Sequence, residues 1–194
     1  MKSYSLKLKS SDVNIFFTSD THYGHTNICK STSRWSDKSG CRDFKTLDDM
    51  NYHLVHQINK YVGHDDILFH LGDWSFGGES NIYNFRNQIV CNNIKLITGN
   101  HDGHINSGKY NEFFDTICRY DEVLIDKILL CLMHFPMSEW NDREHNNVIH
   151  LHGHTHGSPR LKKISNRFDV GIDNAYKIYG EYKPFSWNEI LKNV

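Results

Sequence analysis

Three short apolar runs constrain the fold of this chain more than any other feature. "VNIFFTSD" from Val13, "DILFHLGD" from Asp66 and "IKLITGNHD" from Ile94 are rich in aliphatic and aromatic residues, and each stops at small or polar ones. Runs of that length and make-up predict strands buried on both faces. Between the first two, Leu47, Met50, Leu54, Val55, Ile58, Tyr61 and Val62 keep helical spacing, behind a Thr46/Asp49 pair spaced as a capping box. Between the second and third, Ile82, Phe85 and Ile89 do the same. Strand, helix, strand, helix, strand predicts a layered α/β domain whose reactive groups gather at the carboxyl ends of its strands.

The second half adds a hairpin. "YDEVLID" and "KILLCLMHFP" meet at Asp126-Lys127, which predicts an antiparallel pair and hence a mixed sheet. "NNVIHLHGHTHG" and "RFDVGID" follow as further strands, and "SWNEILKN" reads as a terminal helix with Ser186 and Glu189 as its capping box. The segment from Gly24 to Asp43 has no period and is expected to be a long loop, a kind of segment that often carries function. With 194 residues, the chain is expected to form one domain over its whole length.

Charge and cysteine usage narrow the classes. Lys+Arg 22 against Asp+Glu 23 leaves no global field to draw in nucleic acid or a membrane surface, so any such partner must be recognised locally. The five cysteines, Cys29, Cys41, Cys91, Cys118 and Cys131, contain no C-x-x-C pair and fit reduced thiols. The N-terminal stretch lacks a continuous apolar segment, and no later run has the length of a membrane span. A cytoplasmic location without a membrane partner is the expectation, and the oligomeric state is left open.

Each strand run ends at a residue able to ligate a metal: Asp20 and His22, Asp73, Asn100 and His101, His134, then His154 and His156. The last pair belongs to "IHLHGHTHG", where His150, His152, His154 and His156 alternate. On one strand face such residues would lie roughly 6.6 Å apart, too far for one ion to gather all four. Two ions roughly 3.5–4 Å apart could use neighbouring members if Gly153 or the turn after it re-aims the chain. The plain alternative is a polar sheet face of hydrogen-bonded histidines, and His150 and His152 are expected to pack or support rather than ligate. Carboxylate, amide oxygen and imidazole donors suit Zn, Mn, Fe or Ni better than Ca, and the absence of cysteine from the set favours an open, catalytic site. Seven donors exceed the needs of one four-coordinate ion, whereas two ions sharing a carboxylate would use them all.

The series "DTH", "GD", "GNHD", a lone His before Phe-Pro, and "GHTH", in that order, resembles the calcineurin-like metallophosphoesterase family, above all the small single-domain phosphoesterases of bacteria and phages. The likeness runs from about Val13 to the end of the chain. It implies a four-layer α/β/β/α sandwich of mixed sheets flanked by helices, with two divalent metal ions at the strand ends. By motif, Asp20, His22 and His156 would hold the first ion, Asn100, His134 and His154 the second, and Asp73 would bridge them. His101 would protonate the leaving oxygen or steady the phosphoryl group, with Asp102 as its orienter. Many relatives carry a further acidic residue shortly after "GD"; here the sequence reads Gly72-Asp73-Trp74-Ser75-Phe76, which puts support of that corner in question.

The function expected from this resemblance is a dinuclear metal-dependent phosphohydrolase. It would be a phosphodiesterase acting on a small nucleotide-type phosphoester through a metal-bridging hydroxide, with Mn expected to serve in vitro. A nuclease or nucleic-acid-end phosphatase is the alternative among enzymes, and a non-catalytic metal-binding module the alternative of another class. Substrate contacts are sought in His25 and Arg34, weighed against solvated loop charges, and in Trp140 and Arg143 with His145 nearby, weighed against an ordinary loop with a packing Trp. Arg160, Lys162, Lys163 and Arg167 form the one local basic concentration and read best as a solvated face.

Overall fold

A computed structural model of the chain describes residues 4–105, 108–145 and 147–194. The elements run β1 (Leu6–Leu8), β2 (Ile15–Thr18), α1 (Leu47–Tyr61), β3 (Ile67–His70), α2 (Glu79–Arg86), β4 (Asn93–Ile97), β5 (Thr116–Cys118), β6 (Tyr120–Ile125), β7 (Ile128–Met133), β8 (Val148–His152), β9 (Arg167–Asp169), α3 (Ile172–Tyr179), β10 (Phe185–Ser186) and α4 (Trp187–Asn193). They form two five-stranded mixed sheets, ordered β10-β2-β3-β4-β5 and β1-β6-β7-β8-β9. In the first, β2 to β5 are parallel and only β10 runs against β2. In the second, β6 and β7 form the antiparallel pair, closed by Asp126-Lys127 with Ile125 opposite Ile128 and Asp126 at φ 56°. Positive φ at a two-residue hairpin turn matches the right-handed twist of the flanking strands.

The sheets share one core: Phe17, Phe69 and Ile97 of the first pack into the same apolar cluster as Val123, Leu130, Leu132 and Leu151 of the second. The outer face of the first sheet, through Leu68, Ile94 and Leu96, is covered by Val55 and Ile58 of α1 and Ile82 and Phe85 of α2. Thr46 caps α1 by accepting from the Asp49 N–H, and at α4 both halves of the Ser186/Glu189 capping box are present.

The second sheet departs from the expected symmetric sandwich. Its outer residues Leu129, Cys131 and Val148 lie under Trp140, Met137 and Ile164, which come from irregular segments. The helices α3 and α4 instead send Ala175, Trp187 and Ile190 into the cluster between the sheets. Trp140, with Met137 and Ile164 beside it, covers this face as helices cover the other. The sequence reading also missed β1, β5, β10 and α3. "RFDVGID", read as one strand, is strand only to Asp169, and helix begins at Ile172 behind Gly171. All five cysteines are free thiols. Among the described residues, no helix is long and apolar enough to cross a membrane.

Candidate metal centre

The carboxyl ends of β2, β3, β4, β7 and β8 converge on one edge of the sandwich, and there the polar ends of the five runs meet. Asp20, His22 and His156 present donor atoms within 4.8 Å of one another, and so do Asp20, Asp73 and His134. Asp73 stands between the groups, its Oδ2 3.5 Å from His22 Nε2 and 3.4 Å from His134 Nε2. Asn100 Oδ1 lies 3.1 Å from both His134 Nε2 and His154 Nδ1. His156 Nε2 is 3.9 Å from Asp20 Oδ1. All seven sequence-predicted ligands are therefore brought together.

Backbone conformation does the aiming. Asp20, His22, Asp73, His154 and His156 all have positive φ, between 49° and 68°. Non-glycine residues adopt this region at a cost, and clusters of such residues mark functional sites. β8 ends at His152, so the four alternating histidines do not share a strand face: His150 and His152 stay on the strand, whereas the turn at Gly153 redirects His154 and His156. A Cβ at Gly153 would sit 1.9 Å from Ser19 Oγ and 2.5 Å from Asp20 Oδ2, so only glycine lets the two loops approach so closely.

The donor atoms fit divalent cations. His134 Nδ1 donates to the Leu71 carbonyl at 2.7 Å, so a neutral ring points a bare Nε2 lone pair at Asn100 Oδ1 and Asp73 Oδ2. Three acceptors crowded this closely repel unless a proton or a cation lies among them. Two ligands at metal-bond length in a tetrahedral shell stand roughly 3.4 Å apart, close to the separations around Asp73. Both ring nitrogens of His22 are buried without a hydrogen-bond partner, as an imidazole awaiting a Lewis acid would be.

The electrostatics agree. Burial pushes Asp20 up to about 7, against the pull of His156. Burial also acts to raise Asp73, but its contacts with His134 and His22 prevail and hold it well below the usual carboxylate range. Burial lowers His134, yet the Asp73 carboxylate overrides it and lifts the ring to about 9. His22 is held well below the ordinary histidine value by burial. The pocket is short of positive charge, which a resident cation would supply.

Two carboxylates organise the loops around this centre. Asp102, 1 % exposed, accepts from the N–H groups of Asp73 (2.7 Å), Trp74 (3.0 Å) and Gly99 (2.8 Å). It was expected to orient the His101 ring; it orients the Asp73 turn instead, because its carboxylate is taken up by those three donors. It thereby supplies the support that the sequence after "GD" left in question. Asp169 accepts from Thr155 Oγ1 and from the Gly157 and Gly171 N–H groups, tying down the "GHTHG" turn.

The sequence reading missed a third carboxylate and its partner. Asp173 Oδ2 accepts from His156 Nδ1 at 2.6 Å, fixing the tautomer that leaves Nε2 facing Asp20. Asp173 in turn takes a two-pronged contact from the fully buried Arg42, whose guanidinium also donates to the carbonyls of Asp20 and Thr21. Asp173 lies two residues after Gly171, shortly beyond the end of β9, and that was the available signal. Arg42 lies in the aperiodic loop and had none.

The remaining sequence candidates divide. His101 is exposed at the rim, its ring 5.4 Å from that of His22, and its N–H donates to Asp73 Oδ1 at 2.9 Å. His25 is 8 % exposed, stacked on Phe76 and facing the cleft; it is not the solvated loop charge that sequence favoured, and burial lowers it to about 4. Arg34 is exposed and outside the residues lining the cleft. Trp140 and Arg143 are not at the site: the indole packs on the outer face of the second sheet, with the guanidinium over its ring and paired to Glu139. His150 bridges the Cys131 carbonyl and the Met137 N–H, a packing role as expected.

No protein-family model matches the chain. It is similar to the uncharacterized protein MJ1445 of Methanocaldococcus jannaschii, 28 % identical over 189 residues that cover 93 % of this chain and 90 % of that protein. It is also similar to the gene 66 protein of Mycobacterium phage D29, 25 % identical over 187 residues, covering 82 % of this chain and 88 % of that one. Among solved structures, a protein of unknown function, AQ665 from Aquifex aeolicus, superposes with a TM-score of 0.67 at 21 % identity over 94 % of this chain and all of that one, a likeness of fold.

Proposed function

We propose that this chain is a dinuclear metal-dependent phosphoesterase of the calcineurin-like kind, its two sheets and helices being a variant of that family's α/β/β/α sandwich. The observation that carries this reading is Asp73, one carboxylate oxygen lying 3.5 Å from His22 Nε2 and 3.4 Å from His134 Nε2. Asp20, His22 and His156 would hold one ion, Asn100, His134 and His154 the other, with Asp73 shared. Bound there, two divalent ions would activate water, clamp phosphoryl oxygens and offset the charge that develops in an in-line displacement.

The chain's own residues supply the rest. Asp173 and the Leu71 carbonyl hold His156 and His134 in the tautomers that direct Nε2 inward. His101, tied through its N–H to Asp73, is the group positioned to hydrogen-bond a phosphoryl oxygen or protonate a departing alkoxide. His25 and Phe76 wall the cleft beside it, which has a volume of about 370 Å³.

The test is metal content per chain together with Mn-dependent hydrolysis of bis-p-nitrophenyl phosphate and of the corresponding monoester, with Asp73→Ala alongside. Two ions per chain and turnover lost in Asp73→Ala support the reading. Two bound ions with no turnover of either ester overturn it and favour a non-catalytic metal-binding module.

A further inference from the structure

Aromatic rings wall the cleft over the candidate centre on two sides. On one side Phe76 stacks on His25 with centroids 4.0 Å apart and stands edge-on to His101 at 5.3 Å, while Trp35 meets His25 edge-on at 5.8 Å. On the other, Phe135 lies edge-on to His134 at 5.1 Å and to His154 at 4.7 Å. Trp35, Phe76 and Phe135 nonetheless remain 45 %, 37 % and 39 % exposed. Large aromatic rings left open to water beside a polar centre keep faces on which a planar group can stack.

Each wall borders its own hollow. The first, about 370 Å³, lies over the centre itself, with His22, Asp73, His154 and His156 at its floor and Trp35 and Phe76 along its wall; the second, about 280 Å³, lies among Phe135, Met133 and Arg119. Asn100, a residue of the second ligand set, borders both, so the second hollow opens beside the one that holds the centre. A phosphomonoester has one substituent and could fill only one of them. A diester has two. Among the described residues no carboxylate lines the second hollow, and Arg119 there offers a cation to a polar base edge or a further phosphate.

We infer that the cleft is shaped for a small phosphodiester with a planar base on each side of its phosphorus, a dinucleotide. The inference rests on the phosphoesterase reading for its chemistry. Water's oxygen would add to phosphorus, one P–O bond would break, and a proton would pass to the released nucleoside hydroxyl, giving one nucleotide and one nucleoside. A long polymer is a poorer fit. Lys162, Lys163 and Arg167 line a separate hollow near Phe168, and the Arg167 guanidinium is already engaged with the Met137 carbonyl.

The experiment compares the binding, by calorimetry on the Mn-loaded chain, of two hydrolysis-resistant probes. One is the adenylyl-adenosine dinucleotide with a methylphosphonate link; the other is the same methylphosphonate with one adenosine replaced by methyl. Stacking of a second base is expected to favour the dinucleotide by about tenfold or more. That ratio is expected to fall to within twofold in Phe135→Leu and in Phe76→Leu, which remove the ring face but keep most of the apolar contact with the neighbouring imidazoles. Equal affinity of the two probes for the wild-type chain, or a ratio unmoved in both variants, overturns the inference. Because neither probe is hydrolysed, a chain that binds them in this pattern but turns over no ester would sustain the two-sided cleft while defeating the phosphoesterase reading.

Discussion

Arg42 and Asp173 are 131 positions apart in sequence and meet as a two-pronged ion pair, Nε to Oδ1 at 2.9 Å and one Nη to Oδ2 at 2.8 Å. The same carboxylate oxygen receives the His156 Nδ1 proton, so a loop residue that touches no donor atom of the centre governs how one of its imidazoles is held. Burial acts to raise Asp173, but the Arg42 charge prevails and keeps its carboxyl far below the usual range. Asp173→Asn is expected to leave Arg42 buried without its counter-charge, at a cost of about 3–5 kcal/mol in stability. It should also weaken metal affinity about 10–100-fold, as loss of such an outer partner does. Chemical denaturation and metal titration read the two effects separately. Unchanged metal affinity would show that Asp173 serves the fold alone.

Gly153→Ala tests the close approach of the two loops that carry candidate ligands. The added methyl would be 1.9 Å from Ser19 Oγ, whose hydroxyl donates to the Leu71 carbonyl, and 2.5 Å from Asp20 Oδ2. Neither neighbour can retreat without losing hydrogen bonds at the centre. Destabilisation of about 1–3 kcal/mol, the cost of overpacking, and a marked loss of bound metal are expected. Calorimetric unfolding and metal analysis provide the check, and a variant that binds metal as the wild type does would contradict the crowding argument.

The strands that carry the candidate ligands were legible because each combined a buried apolar run with an abrupt polar end. Where the run was short, as in β1, β5 and β10, nothing in two or three residues separated strand from loop. The seven donors could be read because they recur at strand ends. Their supports could not, because Arg42 and Asp173 acquire meaning only when the chain closes on itself. The roles of Asp102 and Trp140 went astray for a related reason: proximity in sequence to His101 or to His134 does not fix where a side chain points. Asp102 turns to three backbone N–H groups, and Trp140 turns to the outer face of β7 and β8.

His150 carries an acid-lability that can be isolated from the candidate centre. It is fully buried, and burial lowers it from the ordinary 6.5 to about 4. Above pH 6.5 the ring is neutral in both states and its contribution to stability is complete. Between 6.5 and about 4 the unfolded chain takes up a proton that the native chain refuses, so stability falls with pH. Below about 4 both states are protonated and the slope from this group ends. In His150→Gln the pH dependence of the denaturation midpoint over that window is expected to flatten by close to one proton. An identical slope in the two proteins would remove His150 as its source.

His101→Ala separates chemistry from metal binding. His101 contributes only its backbone N–H to Asp73, a bond that alanine preserves, and its ring is in neither group of candidate metal ligands. Metal content and unfolding temperature should therefore match the wild type. If the ring donates a proton to the leaving oxygen, kcat for a diester with an alkoxide leaving group should fall about 10²–10⁴-fold. For a p-nitrophenolate ester the loss should be smaller, since that anion departs without a proton. Equal losses on the two substrates would instead assign the ring to steadying the phosphoryl oxygens, because that contact is made whatever group leaves. A variant with full activity on both would exclude His101 from the reaction.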